Sequence, residues 1–244
     1  MTATGELSQH TIAGTVLTMP VRVRKAQQRM AMFAVDADAA QQMIDYSGLR
    51  VFRLRPDRAV VVLMLMRYLD SDLGQYYEFG TNVMVNPPGE DHAGPRAMQS
   101  AGAFIHHLPV DQEFTLEAGR TIWGYPKVLA DFTIRDGRQF GFDVSNEGRL
   151  IAGMEFRPGL PIPGRFTSAQ QEYRTYSHTG GVTRQTIGES RLTGVRYRPG
   201  GARIWLGDHP YARELAALGL PKRPFMSGSA DNVDMTFADA QEIA

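Results

Sequence analysis

The chain has 244 residues, 26 basic and 26 acidic side chains, a formal net charge of zero and 43% hydrophobic residues, an ordinary globular composition. That balance excludes wholesale disorder and gives no global electrostatic pull toward nucleic acid or an anionic membrane. Cysteine is absent, which excludes disulfides, a thiol nucleophile and cysteine-ligated zinc.

Residues 1–14 are polar and lack the basic and then apolar order of a signal peptide. The longest apolar run, 59–66, is far short of the ~20 residues of a membrane span. A soluble, cytoplasmic protein of one domain, 1–244, is expected. The basic cluster Arg22-Val-Arg-Lys25 reads as a solvated turn or strand end, and 28–35 as a strand. Asp36 caps a helix over 37–44, its carboxylate accepting the free amides of the first turn. Segments 49–54 and 59–69 read as paired strands joined by Pro56-Asp57. The second has Val and Leu on both faces and should be covered on both sides. A strand over 76–85 ends at Asn86-Pro-Pro-Gly89, because prolines cannot continue a ladder, and a surface loop runs to 100. Short strands follow at 103–108, 132–135, 139–144, 150–156, 194–198 and 203–206. With 25 Gly and 14 Pro as punctuation, they predict an antiparallel sheet or barrel. Asp208-His-Pro-Tyr211 opens a short helix to Leu218, with Gly219 just past it.

Three lysines stand against 23 arginines. Arginine cannot serve as an amine nucleophile, so a lysine kept among arginines points weakly to amine chemistry, although biased base composition gives the same ratio. Lys25 and Lys222 adjoin arginines and read as surface charges. Lys127 lies in Thr121-Ile-Trp-Gly-Tyr-Pro-Lys-Val-Leu-Ala130, among aromatic and aliphatic residues. Burial there disfavours an ammonium, and a free amine attacks a ketone to form an imine. On local context alone, a lysine snorkelling from a strand end is the simpler reading.

Other chemistries find little support. His106 and His107 are adjacent; alternation in a strand sends them to opposite faces, where they cannot share a metal. No His-x-x-x-His spacing occurs, and no metal or cofactor is expected. Gly188-Glu-Ser-Arg lacks the second glycine of a nucleophile elbow. Gly180-Gly181 reads as a turn, and His209 as a capping or packing residue.

Glu117-Ala-Gly-Arg-Thr-Ile-Trp-Gly-Tyr-Pro-Lys-Val-Leu129 resembles the signature of the acetoacetate decarboxylase family. There a Gly-Arg-Glu-like step leads into an aromatic-Pro-Lys segment that carries the Schiff-base lysine, and Lys127 falls on that lysine. Leu73-Gly-Gln-Tyr-Tyr-Glu78 is similar to the family's Gly-x-Tyr-x-Glu strand, placing Glu78 on an active-site glutamate. Asp36-Ala-Asp-Ala-Ala resembles the helix start of the N-terminal region, and Leu218-Gly-Leu-Pro-Lys-Arg the tail of a bacterial subgroup. Two positions depart from the pattern. Val128 replaces a second lysine, which leaves desolvation to activate the amine. An ungapped reading puts Ala26 where the family carries an arginine, with Arg24, Lys25 or Arg29 as substitutes in another register.

The resemblance implies an α+β, mainly β fold: a closed or conical antiparallel barrel with a few short helices and the lysine inside. It implies a homo-oligomer and a small keto acid or ketone as partner, with no nucleic acid or membrane. The implied reaction is decarboxylation of an acetoacetate-like β-keto acid through an imine on Lys127, with Glu78 moving a proton. On an inward strand face Glu78 needs a partner, for which Lys127 is a candidate; without the resemblance, Glu78 reads as the ion-pair partner of an arginine. Tyr125 lies on the same side as Lys127 and either donates to substrate or walls the pocket. Arg120 either holds a substrate carboxylate or makes a structural ion pair. Trp123 and Met66 read as core. The alternatives are an aldolase, dehydratase or hydratase of a pyruvate-like or larger carbonyl compound, or a non-catalytic small-molecule binder.

Overall fold

The computed structural model describes residues 7–137 and 139–243, so part of the polar 1–14 segment lies outside the described residues. A hairpin of β1 (Gln9–Ile12) and β2 (Thr15–Thr18) precedes β3 (Val21–Asp36), helix α1 (Ala37–Ile44), β4 (Arg53–Arg55), β5 (Arg58–Ser71), β6 (Tyr76–Val85) and β7 (Gly102–Val110). Helix α2 (Glu113–Trp123) leads into β8 (Lys127–Leu129), β9 (Asp131–Arg135), β10 (Phe140–Asn146), β11 (Arg149–Phe156) and β12 (Leu160–Pro161). The chain continues through β13 (Gln171–Thr179), β14 (Val182–Thr193), β15 (Arg196–Pro199), β16 (Ala202–Leu206), α3 (Pro210–Ala217) and β17 (Met226–Ile243).

Strands β3, β5, β6, β7, β13, β14 and β17 form a ring, closed where β17 pairs with β3. Closure removes the exposed edges of an open sheet. An odd ring cannot alternate direction all the way round. One neighbouring pair must run parallel, and it is β7 with β13. The rest of the ring is antiparallel, as expected.

Strand β5 shows how the ring separates two cores. Its Val61, Leu63 and Leu65 face outward, against the four-stranded sheet β16-β11-β10-β9 and helices α1 and α3. Its Met66 and Tyr68 face the barrel interior, where α2 and the β1–β2 hairpin contribute Ile122, Trp123, Ile12 and Leu17. Apolar residues on both faces of this strand therefore have the two-sided cover read from the sequence. Helix α1 occupies its expected span, with Asp36 accepting from the amides of Asp38 and Ala39.

One expectation fails in β7. Thr81 pairs with His107 while Asn82 pairs with Ile105, which leaves His106 as an extra, bulged residue. The bulge breaks strict alternation, and His106 and His107 turn to the same side, both reaching Glu214 of α3.

Candidate active site

Strand β6 alternates so that Tyr77 and Phe79 pack outward, leaving Tyr76 and Glu78 on the inner face. Across the ladder, Tyr68 of β5 lies opposite Tyr76, and their rings stack at 4.2 Å between centroids. Helix α2 buries Thr115, Ala118, Gly119, Ile122 and Trp123, a stripe at helical spacing. It ends at Gly124, whose left-handed φ of +62° turns the chain back and lets the amides of Gly124 and Tyr125 donate to the carbonyls of Arg120 and Gly119. The chain then enters β8 beside β7, with Lys127 opposite Leu108.

These elements bring the two principal residues together. Lys127 Nζ lies 2.8 Å from Glu78 Oε2 and donates to Thr115 Oγ1 at 2.8 Å, 5.1 Å from the centre of the Tyr76 ring. The Tyr68 hydroxyl donates to Glu78 Oε1 at 2.9 Å. Lys127 is only 3% exposed and Glu78 8%, so the pair is desolvated. A buried ion pair is a poor source of stability, because desolvation offsets most of the attraction. Its presence inside a barrel of Met, Val and Leu therefore calls for a chemical reason.

Gly119 makes room for this lysine: a Cβ there would lie 2.5 Å from Lys127 Cδ and 2.6 Å from Cε. The hydroxyls around the pair stay protonated. Burial, reinforced by the Glu78 charge, pushes Tyr68 and Tyr76 well above the ordinary tyrosine value. Burial raises Tyr125 to about 12. Tyr125 pairs with Thr175 Oγ1 at 2.8 Å.

Glu78 and Tyr125 border an interior cavity of about 350 Å³ to which all seven ring strands contribute. Lys127 is not itself among the lining residues; it adjoins Glu78, which is. The wall is largely apolar, with Val62, Met64, Met66, Leu108, Leu192 and Phe237 prominent. Met66 is thus both buried and part of the cavity wall, whereas Trp123 is core, its indole N–H donating to the Ala238 carbonyl.

Arg120 is not brought to the cavity. It is exposed on α2, and its Nε donates to the Lys127 carbonyl at 2.8 Å, which steadies the backbone of that segment. Val128 points outward and is 38% exposed, so a lysine there would sit in solvent and add no charge beside Nζ. None of the substitutes considered for the family arginine enters the interior. Arg24 is exposed and paired with Asp70 and Asp72, Lys25 is exposed, and Arg29 packs over Phe140 outside the ring. Strand β3 instead presents Gln28 to the cavity, with Ala26 buried nearby. At the cavity's rim stands Arg174, half-exposed and 3.0 Å from Glu172.

Thr115, Tyr68, Gly119 and Arg174 are the site residues that sequence reasoning missed. The helical stripe of α2 would have located Thr115 and Gly119. Nothing short of strand register locates Tyr68 or Arg174.

The fold and site define a class: a closed barrel enclosing a desolvated lysine–carboxylate pair beside an apolar cavity. Residues 11–239 match the model of the acetoacetate decarboxylase family, and the chain belongs to that family. Among solved structures it is similar to acetoacetate decarboxylase from Legionella pneumophila subsp. pneumophila str. Philadelphia 1, with TM-score 0.66 and 20% identity over 92% of this chain and 87% of that one. It is similar to a second acetoacetate decarboxylase structure, with TM-score 0.64 and 18% identity over 92% and 89%. It is also similar to the enduracididine biosynthesis enzyme MppR complexed with pyruvate, with TM-score 0.62 and 17% identity over 93% and 92%. No curated protein matches the chain significantly. At these identities the structural likenesses show the fold alone.

Proposed function

We propose that this protein is a Schiff-base-forming lyase that decarboxylates a β-keto acid through an imine on Lys127. The observation that carries the reading is the buried Lys127–Glu78 pair, 2.8 Å apart at an apolar cavity. Glu78 takes a proton from Nζ, and the neutral amine adds to the substrate ketone. Loss of water from the carbinolamine gives a protonated imine. The electron pair of the C–CO2 bond flows into that imine, CO2 departs, and an enamine remains. Protonation at carbon and hydrolysis release the ketone and restore Lys127. Glu78 returns the proton in the carbinolamine steps, Tyr68 orients Glu78, and Thr115 holds Nζ in place. Because the substrate carboxylate loses its charge as CO2 forms, an apolar wall suits the departing group.

A second reading, an aldolase- or dehydratase-type reaction of a pyruvate-like compound, shares every step up to the protonated imine. Its support is Arg174, half-exposed and the one cation among the described residues lining the cavity, which supplies a partner for a carboxylate that is retained. Trapping separates the two. Borohydride reduces a transient imine to a stable amine, and intact mass reads the adduct. With acetoacetate, the decarboxylase gives a Lys127-dependent adduct lacking the carboxylate, absent in Lys127→Arg. An adduct that keeps the carboxylate, or one formed only with pyruvate, would overturn decarboxylation and favour the second reading. No adduct from any carbonyl compound would leave a non-catalytic binder.

A further inference from the structure

Outside the barrel wall, on the face opposite the cavity, three ligand-type side chains converge. The bulge in β7 turns His106 and His107 the same way, with ring centroids 4.4 Å apart. Their Nε2 atoms lie 2.7 and 2.8 Å from one oxygen of Glu214, Oε2. All three donor atoms fall within 4.8 Å of one another. The residues beside the pair show which side of the wall this is. Ile105 and Leu108 border the cavity, whereas Phe104 and Tyr211, in contact with these imidazoles, belong to the outer core.

We propose that His106, His107 and Glu214 form a binding site for a divalent transition cation of zinc type. Two imidazoles and one carboxylate suit a borderline ion and not the hard cations calcium and magnesium, which take oxygen ligands. Ligand distances of about 2.0–2.2 Å in a tetrahedral arrangement put neighbouring donor atoms about 3.3–3.6 Å apart around such an ion. The present separations of 2.7 and 2.8 Å must open by about 0.5–0.9 Å to admit it, a shift that rotation of the half-exposed Glu214 side chain can supply.

Two further features fit. His106 Nδ1 lies 3.1 Å from the Tyr46 hydroxyl, a partner that fixes the ring and leaves Nε2 for the metal. The site is also built with a floor and an opening: the side chain of His106 is 8% exposed and that of His107 26%, while Glu214 is 44% exposed and gives solvent access. Three protein ligands leave a fourth position for water. The ion would clamp α3, which carries Glu214, to the barrel wall, so its binding should raise stability. Two other close histidine–carboxylate pairs, His10 with Asp239 and His92 with Glu90, offer one imidazole each and serve as internal controls.

The test uses the full chain without a histidine tag, stripped with chelator and titrated with Zn2+ and with Co2+. The expected result is one equivalent bound with micromolar or tighter affinity, visible Co2+ d–d absorption that saturates at one equivalent, and a thermal midpoint raised by several degrees. His107→Gln should weaken binding by at least 100-fold, and His92→Gln should leave it unchanged. If His107→Gln fails to fold, Glu214→Gln on the more exposed ligand serves instead, with a loss of at least tenfold. Absence of stoichiometric binding by the unaltered protein, or binding indifferent to these substitutions, would overturn the site.

Discussion

Lys127 and Glu78 stabilise each other, yet together they contribute little to folding, and this can be measured. Removing one partner strands the other as a buried charge and costs about 3–5 kcal/mol. Lys127→Met should therefore lower the free energy of unfolding by that amount. Adding Glu78→Gln removes the stranded carboxylate while the amide oxygen still accepts from Tyr68, so the double variant should recover most of the loss. Both variants should be inactive and form no borohydride adduct. Denaturant unfolding of the two single variants and the double variant closes the cycle. A double variant that is destabilised by the full sum of the single effects would mean that the pair is not coupled. Both residues were legible in the sequence, Lys127 as the one lysine in an apolar context and each by its motif. Lys127 was also a candidate partner for Glu78, but the geometry of their contact was not legible, because it joins β6 to β8 across a strand that only the fold supplies. The place of Arg120 was not legible for a local reason: a helical residue one step from Gly119 need not share its face, and its guanidinium turns to the Lys127 carbonyl.

At the scale of elements, legibility followed hydrophobic pattern. Helix α1, β5 and β6 carry caps or continuous apolar runs and stand close to where the sequence places them. Helix α2 was missed although its buried stripe has regular helical spacing, because Thr115 and Gly119 occupy two of its positions and neither reads as apolar. Strand β17 is long but holds three Asp and three Ala, weak strand formers, and ring closure rather than intrinsic propensity makes it a strand. The β7 bulge shows the converse error, where alternation was trusted across an inserted residue. Gly119 makes the function of α2 testable. Alanine there improves helix propensity by about 1 kcal/mol. Its Cβ, however, meets the Lys127 methylenes at 2.5 and 2.6 Å, an overpacking that costs about 1–3 kcal/mol. The two effects nearly offset in stability, whereas nothing offsets the displacement of Nζ from Glu78 and Thr115. Gly119→Ala should thus unfold within about 2 kcal/mol of the unaltered protein and lose at least tenfold in the rate of borohydride trapping. Trapping at the unaltered rate would show that the lysine has more freedom than its neighbours suggest.

The molecule as a whole encloses its site in a barrel whose interior is larger and more apolar than a four-carbon keto acid needs. Cavities of about 300–1,000 Å³ accommodate ligands well beyond that size, and the one here holds about 350 Å³. Glu78 and Tyr125 stand on its wall with other polar groups such as Gln28 and Asn82, and Arg174 and Glu172 add charge, while Met64, Leu192 and Phe237 leave apolar wall unfilled by acetoacetate. A longer 3-oxo acid would bury its chain against that wall. Each buried methylene contributes about 0.8 kcal/mol, or about fourfold. Across a series of straight-chain 3-oxo acids, kcat/KM should therefore climb about fourfold per added carbon, then level off once the cavity is full. Leu192→Trp shortens the available space without touching Lys127, Glu78 or Thr115. It should lower kcat/KM for the longer acids by at least tenfold and leave acetoacetate nearly unchanged. A flat profile with chain length, or a Trp substitution that depresses all substrates alike, would show that the apolar wall packs the barrel rather than selecting what enters it.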